Sequence, residues 1–68
     1  MYGFKTELKE SLLNGRTITW VANEIGITTS HLINVLNGKR DCSKLVAYCV
    51  VKVCDNDKEI FDYFIRKG

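Results

Sequence analysis

Proline is absent from this chain of 68 residues, so no helix in it is broken by a ring that lacks an N–H. Long apolar runs are absent too. The longest, Leu45 to Val51, is seven residues, against about 20 for a membrane span. The amino-terminal stretch MYGFKTELKE is too charged to read as a secretion signal. Cys42, Cys49 and Cys54 are an odd set with no C-x-x-C pair, which points away from zinc and from a disulfide framework, and toward reduced thiols in a cytoplasmic protein. The one histidine, His31, has no nucleophile or acid placed to work with it, and no paired carboxylates stand out. Neither an enzyme nor a cofactor is expected.

Charge of one sign is also scarce. The formal net charge is +2, too small to identify a nucleic-acid partner by itself. Its distribution says more. Residues 1–54 carry seven basic and four acidic side chains, and residues 55–68 carry three and four. The chain is short enough for one domain with a modest core, which dimerisation would help to stabilise.

Against that background, helical periodicity stands out, and no clear period-2 run does. Phe4, Leu8 and Leu12 share one face of a first helix over 4–14. Ile18, Val21, Ala22 and Ile25 follow i, i+3, i+4, i+7 in a second, with Thr17 as its cap. A third runs from Thr29 to Asn37 behind a Thr28 cap, with Leu32, Val35 and Leu36 inward. A fourth runs from a Ser43 cap to Cys54, with Leu45, Val46, Cys49, Val50 and Val53 on its apolar side. A fifth is expected over about 57–66, from the Asn56–Glu59 capping-box spacing and from Ile60, Phe61, Phe64 and Ile65. Gly15, Gly26 and Gly38 follow the first three helices, where left-handed residues are expected. The expected architecture is an all-α, compact five-helix single domain, with no linker or internal repeat.

The centre of the chain is the most specific part. Only Gly26 and Ile27 separate the second helix from the Thr28 cap of the third. A glycine turn that short sets two helices at a steep angle. Ala22 is small enough to let them approach, and Ile27 can fill the space between them. On the third helix Ser30, Asn34 and Asn37 point outward, with Thr29 and Ile33 on one border and His31 on the other.

The stretch TITWVANEIGITTSHLINVLNGKR resembles the helix-turn-helix DNA-binding domain of the Cro and phage-repressor family. The matching residues are Thr17, Val21-Ala22, Gly26-Ile27-Thr28, Leu32, Val35 and Asn37-Gly38, and the likeness covers roughly residues 4–54. It implies a lambda-repressor-like fold whose third helix enters the major groove. By the same resemblance Thr29, Ser30 and Asn34 fall at base-reading positions, flanked by His31 and Ile33. Asn bonds an adenine edge, Ser and Thr suit either base type, and isoleucine touches a thymine methyl. Thr17, Asn37, Lys39 and Arg40 fall at phosphate positions.

The implied function is a small transcriptional regulator of phage or mobile-element type. Its partners would be operator-type double-stranded DNA and a second copy of itself. Two features depart from the family pattern. Ile18 stands where a polar residue is common, and the third helix carries no Arg, Lys or Gln. They motivate the alternative, an antirepressor or modulator that keeps the fold but binds a repressor protein. Trp20 reads as a half-buried packing residue. Phe61, Tyr63 and Phe64 near the end of the chain suit either core closure or a protein interface, where aromatics are enriched.

Overall fold

The computed structural model describes residues 1–67, with Gly68 outside the described residues. It is mostly helical. Strand β1 (Tyr2–Phe4) leads through one 3-10 turn (Thr6–Leu8) into helix α1 (Lys9–Leu13). Helices α2 (Ile18–Ile25), α3 (Thr29–Leu36) and α4 (Lys44–Cys54) follow, then a single-turn helix α5 (Ile60–Tyr63) and strand β2 (Phe64–Arg66).

Local chemistry accounts for the three long helices. The hydroxyl oxygens of Thr17, Thr28 and Ser43 accept the backbone N–H of Trp20, His31 and Val46 at 3.0, 3.1 and 3.2 Å. Each satisfies one of the donors a helix leaves open at its start. The ends follow the glycines. Gly26 has φ 92° and Gly38 φ 77°, conformations that a Cβ would strain. The N–H groups of Gly26 and Ile27 both donate to the Ala22 carbonyl, at 2.9 and 3.1 Å. That closes α2 and turns the chain within two residues.

The two ends of the chain depart from the all-α expectation. Helix one does not begin at Phe4, because β1 pairs antiparallel with β2: Tyr2 with Arg66, Gly3 with Ile65, Phe4 with Phe64. Tyr2 also exchanges backbone hydrogen bonds with Cys42, at 2.8 and 2.9 Å. The expected helix over 57–66 shrinks to Ile60–Tyr63. Its start lies three residues later than the Asn56–Glu59 spacing suggests. Glu59 is the cap, and the Asp62 carboxylate accepts its N–H at 2.8 Å.

One core joins these pieces. Leu12, Val21, Ala22, Leu32, Val35, Leu36, Ala47, Val50, Val51 and Phe64 are fully buried. The Phe4 and Phe64 rings meet edge-on with centroids 5.2 Å apart, a favoured aromatic geometry. The buried side of α4 is Ala47, Val50, Val51 and Cys54. It is not the side that Leu45 heads, and Leu45 is 70% exposed.

Candidate nucleic-acid interface

The surface built by α3 and the turn after it holds most of the residues singled out above. Leu32, Val35 and Leu36 are buried, and they fix which side of α3 faces out. Ser30, Ile33 and Asn37 are exposed, while Thr29, His31 and Asn34 are half-buried. Ile33 therefore lies within the exposed stripe rather than only on its border. Asn34 is less open than the helical wheel suggests, because the chain turns back beside it: the N–H of Lys39 donates to the Asn34 carbonyl at 2.9 Å.

That turn presents Lys39 and Arg40, both exposed. Neither makes a side-chain hydrogen bond or ion pair among the described residues. Asn37 is held from α1, where the Lys9 ammonium donates to its Oδ1 at 3.0 Å. Lys9 thus sets a cation against Asn37, two residues before Lys39. Nothing in the local pattern pointed to it, since it lies 28 positions away in the chain.

Thr17 is exposed at the start of α2 with its hydroxyl engaged in the cap. Beside it, the Arg16 guanidinium lies 5.8 Å from the centre of the Trp20 ring, within cation–π reach. Arg16 also donates to the Leu13 carbonyl at 3.3 Å. Trp20 is 45% exposed, more open than a packing residue of α2. Ile18 packs against the core, which removes it as an outward apolar residue.

The aromatic trio near the chain end divides. Tyr63 and Phe64 are buried, and only Phe61, at 60% exposure, faces solvent. Phe64 and Tyr63 close the core, so the three do not form one interface. The Phe61 ring lies near Tyr2, with centroids 6.0 Å apart.

The thiols are free. Cys42 and Cys54 are buried and Cys49 is half-buried, so Cys42, not Cys49, joins Cys54 in the core. Burial pushes the Cys42 thiol up to about 11, with the Asp41 charge adding to it. Burial also raises Cys54. Such thiols are poor nucleophiles at neutral pH. No group of three or more metal-ligating side chains occurs among the described residues. No helix there is long and apolar enough to cross a membrane.

Compared with protein-family models, curated proteins and solved structures, the chain finds no match.

Proposed function

We propose that the protein binds double-stranded DNA through a helix-turn-helix of α2 and α3, with α3 in the major groove, and acts as a small transcriptional regulator of the Cro and phage-repressor type. The observation that carries this reading is the outward face of α3, with Ser30 and Asn37 exposed, running directly into a turn whose two cations, Lys39 and Arg40, make no side-chain hydrogen bond or ion pair among the described residues, with the Lys9 ammonium on Asn37. Side chains that read base edges and cations that neutralise phosphate are needed side by side. The tight Gly26 turn supports the reading, since α3 follows α2 after three residues and both helices bury side chains, Ala22 and Leu32 among them, in one core. In this reading Ser30, Asn34 and Thr29 face bases, with Ile33 exposed among them and His31 at the margin. Thr17, Asn37, Lys39 and Arg40 face phosphates, joined by Arg16.

The longest dimension of the chain is 29 Å. Half-sites on one face of a duplex lie roughly 34–36 Å apart. One copy thus covers one half-site, and an operator engages two copies.

A second reading, a modulator that docks on a repressor protein, draws on the exposure of Ile33 at 38% and Trp20 at 45%. A salt titration separates the two. The fluorescence of Trp20, the one tryptophan, reports binding to duplexes drawn from the DNA flanking the coding region. Affinity should fall steeply with salt, and removing Lys39 and Arg40 together should lessen the log–log slope by roughly 2. Asn34→Ala should flatten sequence preference by about 1–3 kcal/mol. Absence of binding to every duplex at low salt would sink the DNA reading and leave the modulator.

A further inference from the structure

The turn after α3 contains a charge of the wrong sign for its proposed ligand. Asp41 follows Lys39 and Arg40 directly in the chain. A carboxylate so placed can pair with either cation, and its own charge repels a phosphate. Yet among the described residues neither Lys39 nor Arg40 forms an ion pair. Asp41 is held instead from the far end of the chain, where the Lys67 ammonium lies 3.4 Å from its Oδ1.

Three features bring Lys67 to that place. Its backbone N–H donates to the Met1 carbonyl at 2.8 Å, which continues the β1–β2 register past Tyr2 and Arg66. Its stem then lies over Gly3, where a Cβ would stand 2.6 Å from Cε, 3.0 Å from Nζ and 3.1 Å from Cδ. Gly3 is not one of the glycines with positive φ. Its backbone conformation is therefore open to other residues, and the space for the Lys67 stem is what calls for glycine. On the other edge of β1, Tyr2 and Cys42 exchange backbone hydrogen bonds at 2.8 and 2.9 Å. That pins the residue after Asp41 to the strand that Lys67 crosses.

The pair is open to water, with side chains 50% and 36% exposed, so it adds little to stability. Its consequence is where the Asp41 charge goes. We propose that Lys67 is a positioning residue for the DNA interface: by holding Asp41 across Gly3, it keeps that carboxylate off Lys39 and Arg40 and leaves both cations available to phosphate. This rests on the DNA reading and adds to it a residue remote in sequence that sets the strength of the cationic turn.

Duplex affinity of the full chain, followed by Trp20 fluorescence across a salt series, tests it. Lys67→Met keeps an apolar stem over Gly3 and removes the charge. It should weaken binding about threefold at low salt. It should also lessen the log–log salt slope by up to roughly 1, because Asp41 then takes one cation from a phosphate. Asp41→Asn should bind at least as tightly as wild type, and in that background Lys67→Met should change neither affinity nor slope. Gly3→Ala meets only the flexible Lys67 side chain. It should reproduce Lys67→Met and be cancelled in the same way by Asp41→Asn, with circular-dichroism spectra unchanged throughout. Equal losses from Lys67→Met with and without the Asp41 carboxylate would make Lys67 a direct phosphate contact and overturn the proposal. So would duplex binding that Lys67→Met leaves intact. Gly3→Ala binding like wild type overturns the route over Gly3. A wild-type chain that binds no duplex at low salt removes the DNA reading, and this inference with it.

Discussion

The middle of the chain and its two ends are held together by different kinds of interaction. Between Thr17 and Gly38, most fixed points are local. Two threonine caps reach three residues ahead, and Gly26 turns the chain against a carbonyl four residues behind. At the ends, the fixed points span nearly the whole chain. Phe4 pairs with Phe64, the Lys5 ammonium donates to the Phe61 carbonyl at 2.8 Å, and the Lys5 N–H donates to the Tyr63 carbonyl at 2.8 Å. Local contacts cost little chain entropy to form. Long-range ones require the loop to close first, and closure is offset only when a large side chain such as Phe64 is buried in the same step. The half that carries the proposed interface is thus shaped by its own residues, but it is secured by the half that does not.

The strongest way to break this comparison is Phe64→Ala. Removing a fully buried ring should cost about 3–5 kcal/mol, a large share of what a domain this small holds. If the ends secure the middle, urea unfolding followed by circular dichroism and by Trp20 fluorescence should shift together. Loss of the end contacts with an unmoved Trp20 transition would show that the middle stands alone. Next in size is Gly26→Ala. No heavy atom lies within 4 Å of a Cβ built there, but φ is +92°. The cost should therefore come from backbone strain alone, about 1–2 kcal/mol. Gly26→Asn should recover part of it, since asparagine tolerates the left-handed region better.

The same difference decides what could be read in advance. The spans of α2 and α3 and their caps are written in neighbouring residues, and they agree with the structure to within one residue at the end of α3. The strands are three residues each, too short for alternation to register, and their pairing joins residues about 60 apart. Ile60, Phe61, Phe64 and Ile65 mimic a helical stripe, yet Phe64 and Ile65 are extended and Phe61 faces outward. On α4 the large Leu45 draws attention from Ala47, the residue that is buried. At the candidate interface, Ser30, Asn37, Lys39 and Arg40 were legible as outward polar residues. The half-burial of Asn34 was not, because it depends on the turn that follows α3. Lys9 was not either, because it reaches Asn37 from another helix.

The smallest expected effect sharpens the comparison from the other side. Lys67 and Asp41 form an ion pair at 3.4 Å that links the carboxyl end of the chain to the turn after α3, with both side chains a third or more exposed. The Lys67 stem also lies over Gly3, where a Cβ would meet its Cε at 2.6 Å. If the ends are held by burial rather than by charge, Asp41→Asn should cost less than about 0.5 kcal/mol, as screened surface pairs do. The stem can stay over Gly3 by its apolar contact with the ammonium in water. Urea unfolding of Asp41→Asn beside wild type, at low and at high salt, reads this directly. A loss above about 1 kcal/mol that high salt removes would exceed the usual surface-pair range. It would mean that the β1–β2 seam depends on charge as well as on Phe4 and Phe64, and that the Lys67–Asp41 pair fixes where the cationic turn sits relative to the sheet.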